Sequence, residues 1–352
     1  MLKHTPPESI CVIRLSAIGD TCHALAVVRS IQDSWPETRL TWIIGKTEAA
    51  LLGDIPGIEF IIFDKSRGQQ ARRELRRKLA DRRFDAALCM HASMRVNLIN
   101  LIVRSPVRIG YDFARARDFQ WLFTNHRIPA TRGQHVLDAM MEFARTIGVP
   151  PQKLRWDIPL TESQRDFAEG FRVAGKPLVV ISPCSSQRFR NFRNWSAENY
   201  AAAANHAVRK YDCQVLLTGG NSATEREYGR AISKMCERGV HDLVGQTSLK
   251  QLLALLAESD LVLCPDSGPA HMATAVGTPV VGLYATSNPE RTGPYLSREL
   301  TVNVYPEACR QFLGKEVAEL RWGQRVRDPG AMGLIRLAQV TSMIDRALAR
   351  SE

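Results

Sequence analysis

The residues best suited to chemistry in this 352-residue chain gather in four short stretches, each placed just after an apolar run. One is Asp266-Ser-Gly-Pro-Ala-His271, which follows Leu261–Cys264 after a single proline. Ser267 can cap a helix, Pro269 suits its first turn and Gly277 closes it. A strand–turn–helix junction of this kind presents backbone N–H groups and the positive end of a helix, the usual means of holding a diphosphate. Asp266, Ser267 and Gly268 also fit a plain helix start, and His271 a packing histidine. A second stretch, Arg188-Phe-Arg190-Asn-Phe-Arg193-Asn-Trp195-Ser196, sets three arginines between an apolar run and a capping serine. Cations there can offset charge building on a departing phosphate, or form a solvated basic loop.

The third stretch, Thr218-Gly219-Gly220, ends the run Gln214–Thr218 and fits a loop approached closely by a ligand. The fourth is Ser16-Ala-Ile-Gly19-Asp20, which follows Cys11-Val-Ile-Arg-Leu15 and opens a helix. Asp20 has two readings here: a helix N-cap, the commoner use of such a residue, or a carboxylate acting as general base. The chain holds no G-x-x-x-x-G-K-[ST] loop and no G-x-G-x-x-G fingerprint, which argues against phosphotransfer and nicotinamide chemistry. It also has no D-x-D triplet, so a group transfer here would hold its phosphates with arginines and a helix terminus instead of a metal. No cofactor is expected.

Around these stretches the apolar runs and helical spacings alternate. Ser9–Leu15, Arg39–Gly45, Glu59–Phe63 and Phe84–Met90 read as strands, with helices over 21–33, 68–83 and 135–147. The rhythm restarts with strands Pro177–Ser182, Gln214–Thr218, Leu261–Cys264 and Pro279–Tyr284, and helices over 197–210, 223–237, 249–258 and 269–276. Short strands that are apolar throughout require a parallel sheet covered on both faces. The expected fold is therefore α/β, two doubly wound Rossmann-like domains facing across a cleft. Residues 1–150 form the first domain, 151–176 an irregular linker, and 177–330 the second domain. Residues 331–352 contain an amphipathic helix expected to return to the first domain.

Composition narrows the partners. The net charge is +11, and between Lys65 and Arg83 nine basic residues face only Glu74 and Asp81. No nucleic-acid module or aromatic interleaving accompanies this cluster, so a phosphorylated or membrane-borne acceptor ranks above DNA or RNA, with a solvated helix face as the plain alternative. Arg72, Arg73 and Arg76, together with Arg77 and Lys78, are the cations expected to attract such an acceptor. None of the eight cysteines lies in a C-x-x-C pair, which fits buried reduced thiols. No signal-like segment or membrane span is evident, and the expected setting is the cytoplasm.

Taken together, Arg14-Leu-Ser-Ala-Ile-Gly-Asp-Thr21, the Ser182-Pro-Cys-Ser-Ser186 segment with Asn194-Trp195, Thr218-Gly-Gly220 and Asp266–Pro279 resemble glycosyltransferase family 9. That family comprises the bacterial ADP-heptose:lipopolysaccharide heptosyltransferases, and it has the GT-B fold. The resemblance spans about 9–295, and the Cys22-His-Ala-Leu-Ala26 opening looks nearest to enzymes of the heptosyltransferase I type, which add the first heptose to Kdo. It implies that Asp20 is the catalytic base and that Arg193, Thr218, Gly219, Gly220, Asp266, Ser267, Gly268 and His271 bind the donor. It leaves the acid at the donor's nucleoside between Glu225 and Glu227, and places Arg95 toward the acceptor. The family's Asp-x-Gln pattern is His91-Ala-Ser93 here, a departure on the acceptor side. The implied reaction is inverting, metal-independent heptose transfer from ADP-heptose to Kdo-lipid A, by a protein peripheral to the inner membrane. A later-step heptosyltransferase, a nucleotide-sugar epimerase or hydrolase, and a polyanion-binding protein are the rival readings.

Overall fold

Runs such as Leu40-Thr-Trp-Ile-Ile-Gly45 carry β-branched and aromatic residues without polar alternation, so both faces of the strand must be covered. The computed structural model describes residues 6–185 and 191–349, and these runs form two parallel six-stranded sheets. The chain divides into two units, Met1–Pro159 and Leu160–Glu352, each with one sheet.

The first unit contains β1 (Ser9–Ile13), β2 (Arg39–Gly45), β3 (Ile58–Phe63), β4 (Ala86–Leu88), β5 (Val107–Gly110) and β6 (His126–Arg127). Its helices are α1 (Ile18–Ser34), α2 (Lys46–Leu52), α3 (Gly68–Lys78), α4 (Met94–Asn100) and α5 (Val136–Ile147). The strand order is β3-β2-β1-β4-β5-β6. The chain therefore winds outward from β1 to β3 and crosses back to lay β4 beside β1. The reversal opens a crevice beyond the carboxyl ends of β1 and β4.

The second unit repeats the plan with β7 (Leu178–Ile181), β8 (Gln214–Leu217), β9 (Val240–Asp242), β10 (Leu261–Pro265), β11 (Val280–Tyr284) and β12 (Val302–Asn303). Its helices are α6 (Glu162–Glu169), α7 (Ala197–Tyr211), α8 (Ala223–Met235), α9 (Leu249–Glu258), α10 (Gly268–Val276), α11 (Pro289–Thr292), α12 (Tyr305–Leu313) and α13 (Leu337–Leu348). The order β12-β11-β10-β7-β8-β9 puts this unit's reversal between β7 and β10. The expected α/β class with two doubly wound sheets is the one observed. Among the described residues no helix is long and apolar enough to cross a membrane.

Two local expectations are corrected. The basic helix ends at Lys78, not Arg83, because Leu79 is a buried C-cap and the chain turns there to reach β4. The stretch read as an irregular linker contains α6, which starts on a reciprocal Thr161–Gln164 capping box and packs against α9. The final helix is used inside the second unit. Its Val340, Ile344, Ala347 and Leu348 join that unit's core. Asp345 accepts from His206 Nε2 (2.7 Å) and the Tyr211 hydroxyl (3.0 Å), and is paired with Lys210 Nζ (2.9 Å). With both its apolar face and its acid engaged on α7 and its sheet, α13 packs within the second unit.

Candidate active site

In the first unit, chemistry-bearing side chains collect at the reversal between β1 and β4. Arg14 follows β1 directly and its side chain is almost wholly buried. Its carbonyl accepts from Trp42 Nε1 (3.1 Å), its Nη1 donates to the Met90 carbonyl (2.5 Å), and its Nη2 is ion-paired with Asp20 Oδ2. The neighbouring strand end is drawn in close: Gly45 N donates to the Leu15 carbonyl at 3.0 Å, and a Cβ on Gly45 would lie 2.3 Å from that oxygen. Only glycine allows that approach.

Asp20 is not the N-cap. The helix begins earlier than expected, with Ala17 at the N-cap, and Asp20 is the third helical residue. Its Oδ2 also accepts a long hydrogen bond from Ala17 N (3.4 Å), while its side chain stays 38% exposed. A carboxylate that is fixed by a buried guanidinium yet open to solvent can receive a proton from a bound hydroxyl group. His91, just beyond β4, completes the cluster. Burial, the Arg14 charge and the Arg95 charge lower its pKa from 6.5 to about 4, against the opposing pull of Asp20. The imidazole is therefore neutral at physiological pH.

Arg95 lies exposed in the first turn of α4 and acts electrostatically on His91, so it belongs with this cluster. The other acceptor-side residues are on α3. There Ala71 and Leu75 are buried, Arg72 is half-buried, and Arg73, Arg76, Arg77 and Lys78 are exposed. Arg76, Arg77 and Lys78 occupy the last turn, where cations complement the negative helix end, so these three have a structural use as well. Of the wider basic run, Arg67 is bound to Glu74 (2.6 and 2.8 Å) and Arg82 to Glu59.

The second unit places its residues at the equivalent reversal. Arg193 lies on the connection after β7, and Asp266 follows β10. Arg193 Nη1 donates to the Asp266 carbonyl (2.7 Å) and approaches Asp266 Oδ2 (3.2 Å), with both side chains nearly buried. Ser287 Oγ donates to the same Asp266 oxygen (2.6 Å). The Arg193 charge is thus held at the start of α10 and partly balanced by Asp266. Arg188 and Arg190 lie outside the described residues.

Ser267 occupies the N-cap of α10, but its hydroxyl is buried near the Cys264 thiol and caps no backbone N–H. The sequence reading of Ser267 as a capping side chain is corrected accordingly. Gly268 opens the helix, Pro269 sits in its first turn, His271 is buried one turn in, and Gly277 closes it at φ +83°. A helix start with a cation beside it and no serine cap suits an anion.

The Thr218-Gly-Gly220 turn lies at the end of β8. The buried Thr218 hydroxyl is 2.6 Å from Ser182 Oγ at the end of β7. Gly220 N donates to Glu225 Oε1 (2.8 Å) and Ser222 Oγ to Glu225 Oε2 (2.6 Å). Glu225 therefore braces the turn, whereas Glu227 is exposed on α8. A Cβ on Gly220 would fall 2.9 Å from Glu225 Oε2 and would push the carboxylate aside.

The residues missed from sequence were Arg14 and His91 in a site role. A charged side chain closing an apolar strand was the available signal for Arg14.

Residues 72–322 match the model of glycosyltransferase family 9 (heptosyltransferase). The chain is 40% identical to the lipopolysaccharide core heptosyltransferase OpsX of Haemophilus influenzae, over 97% of both proteins. Its fold matches that of glycosyl transferase family 9 from Veillonella parvula at a TM-score of 0.79, with 20% identity over 99% of this chain and 98% of the other. It also matches the ADP-heptose lps heptosyltransferase II of E. coli at a TM-score of 0.72, with 21% identity over 97% and 99%. With the GT-B architecture and these matches in place, the chain belongs to glycosyltransferase family 9, the heptosyltransferases, and is a glycosyltransferase.

Proposed function

We propose that the enzyme transfers L-glycero-D-manno-heptose from ADP-heptose to the Kdo of the lipopolysaccharide inner core, with inversion and without a metal ion. The single observation that carries the reading is the half-open Asp20 carboxylate, fixed by buried Arg14 at the β1–β4 reversal. Asp20 takes the proton of the acceptor hydroxyl as its oxygen attacks the anomeric carbon. The bond from that carbon to the diphosphate breaks, and its electron pair leaves on ADP. One displacement inverts the anomeric centre. Arg193 and the start of α10 receive the growing negative charge, with Gly268 and His271 lining that turn. The Thr218-Gly219-Gly220 turn and Glu225 lie toward the nucleoside. The first unit binds the acceptor through Arg95 and the α3 cations Arg72, Arg73 and Arg76, and the second binds the donor. The two relatives named for heptose transfer support donor and reaction class. Because its acceptor is a glycolipid, the enzyme works in the cytoplasm at the inner leaflet.

The test offers ADP-heptose with Kdo-lipid A, and in parallel with the same acceptor already carrying one heptose, both in EDTA. The first acceptor should gain one heptose of inverted configuration, and the second should be a poor substrate. Preference for the second acceptor would assign a later step. Activity lost to EDTA and restored by magnesium or manganese would overturn the metal-free assignment.

A further inference from the structure

The connection between β5 and α5 in the first unit has inverted polarity. Several of its polar side chains point inward. Gln120 is buried, donating through Nε2 to the Cys89 carbonyl (2.8 Å) and accepting from Tyr111 N (3.2 Å). Asn97 and Asn100 of α4 hold the same connection from beneath, donating to the carbonyls of Asp118 (2.7 Å) and Phe123 (2.6 Å). Arg115 braces it from within, bound to Asp112 and to Gln134 Oε1 (2.7 Å). Four of its large apolar side chains point outward. Phe113 is 66% exposed, Phe119 60% and Leu122 65%, with Trp121 beside them at 39%.

These side chains form a patch. Trp121 lies 6.2 Å from the Phe113 ring and 6.3 Å from the Phe119 ring. Phe119 adopts a left-handed backbone at φ +57°, next to Asp118 at +51°. A bulky aromatic residue rarely accepts that conformation, and burial does not repay it here, because the ring faces solvent. Exposed Met94 borders the patch, tied to it by its backbone N–H to Asp118 Oδ2 (2.9 Å). Clustered exposed aromatics of this kind mark an interaction surface.

The surrounding charge names the partner. Arg127 lies over the Phe113 ring at 4.1 Å, and Arg117, Arg132 and Arg95 are exposed nearby in sequence or on α4. Tryptophan and phenylalanine with arginines alongside suit the headgroup zone of a bilayer, where rings enter the apolar boundary and cations meet phosphate. We propose that the 111–127 connection is a docking surface for a bilayer of anionic phospholipid, with Phe113, Phe119, Trp121 and Leu122 entering the interface. The inference rests on the proposed membrane-borne acceptor and gives the surface that brings the enzyme to it.

The experiment is flotation of the full-length protein with vesicles of phosphatidylcholine alone and of phosphatidylcholine mixed with phosphatidylglycerol. The protein should float with the mixed vesicles and only weakly with the neutral ones. Each arginine near the anionic surface contributes roughly fivefold in partition, an effect that salt reduces. The pair Phe119→Asn and Trp121→Ser should lower partition by about tenfold or more, since binding scales with buried apolar area. Asn accepts the left-handed backbone at 119, so the melting temperature and ADP binding should stay at wild-type values. Arg117→Glu with Arg127→Glu should abolish the preference for mixed vesicles. Failure of the wild type to float, or flotation of the aromatic pair variant equal to wild type, overturns the proposal. So does a wild-type dimer that the aromatic pair variant turns into a monomer, which would make this face a contact between copies. Transfer to deacylated Kdo acceptor in free solution separates the two readings. If transfer occurs without flotation, only the docking surface falls; if flotation occurs without transfer to any acceptor, the proposed reaction falls.

Discussion

At the scale of single residues, the candidate base and its partner were unequally legible. Asp20 is marked by the strand–turn–helix pattern around it. Its pairing with Arg14 was not, because the two residues meet only once β1 has ended and α1 has turned back over it. Asp20→Asn keeps the size and the contact to Ala17 N but removes the proton acceptor, so kcat should fall by roughly 10²–10⁴-fold with ADP binding unchanged. The change also leaves the nearly buried Arg14 charge without its acid, costing about 1–2 kcal/mol because Asp20 itself is partly solvated. Adding Arg14→Gln should restore the melting temperature without restoring kcat. A kcat for Asp20→Asn within about threefold of wild type would reduce Asp20 to a helix-start residue. His91 gives a pH signature. Its folded pKa of about 4 lies below the free value of 6.5, so between those values the unfolded chain binds more protons and stability is lost as pH falls. From pH 7 to pH 4.5 the histidine should account for about 2 kcal/mol, seen as a flatter pH dependence of unfolding in His91→Gln. An unchanged slope would show that the ring is not held neutral.

Elements were legible where their periodicity was strong and local. Arg39–Gly45 is a strand as read, and Gly148 closes α5 at φ +101° as its position after the apolar spacing implied. Short strands such as β6 and β12, of two residues each, carry too little pattern to be read, since parallel pairing with a neighbour defines them. The helix α6 inside 151–176 was not read because prolines around 150–159 outweighed the Thr161–Gln164 capping box. For α13 the sequence is silent on the partner within its own unit: an amphipathic stripe states that a helix has a partner and does not say which one. Ile344, 1% exposed in the core of the second unit, tests this packing. Ile344→Ala should destabilise that unit by about 2–5 kcal/mol in chemical denaturation. A loss below about 1 kcal/mol would mean that α13 adds little to this core.

At the scale of the whole molecule, the α/β class followed from alternating apolar runs and helical spacings, and the reversals between β1 and β4 and between β7 and β10 were not visible until strand order was known. Those reversals explain why residues as distant in sequence as Arg193 and Asp266 meet. The excess of basic charge belongs to this scale also. If the α3 cations draw an anionic acceptor, Arg76→Glu with Arg77→Glu should raise the acceptor KM at low salt, where screening is weak, and leave the donor KM unchanged. An acceptor KM that does not move at low ionic strength would assign these residues to the helix terminus alone. The most direct test of the central claim follows ADP-heptose and Kdo-lipid A together by mass spectrometry, with acceptor-free and chelator-containing controls. The account predicts that the acceptor gains the mass of one heptose, with ADP formed in equal amount, and that ADP-heptose is stable when acceptor is left out. Consumption of ADP-heptose without acceptor, giving free or isomerised sugar and leaving Kdo-lipid A at its original mass, would contradict it.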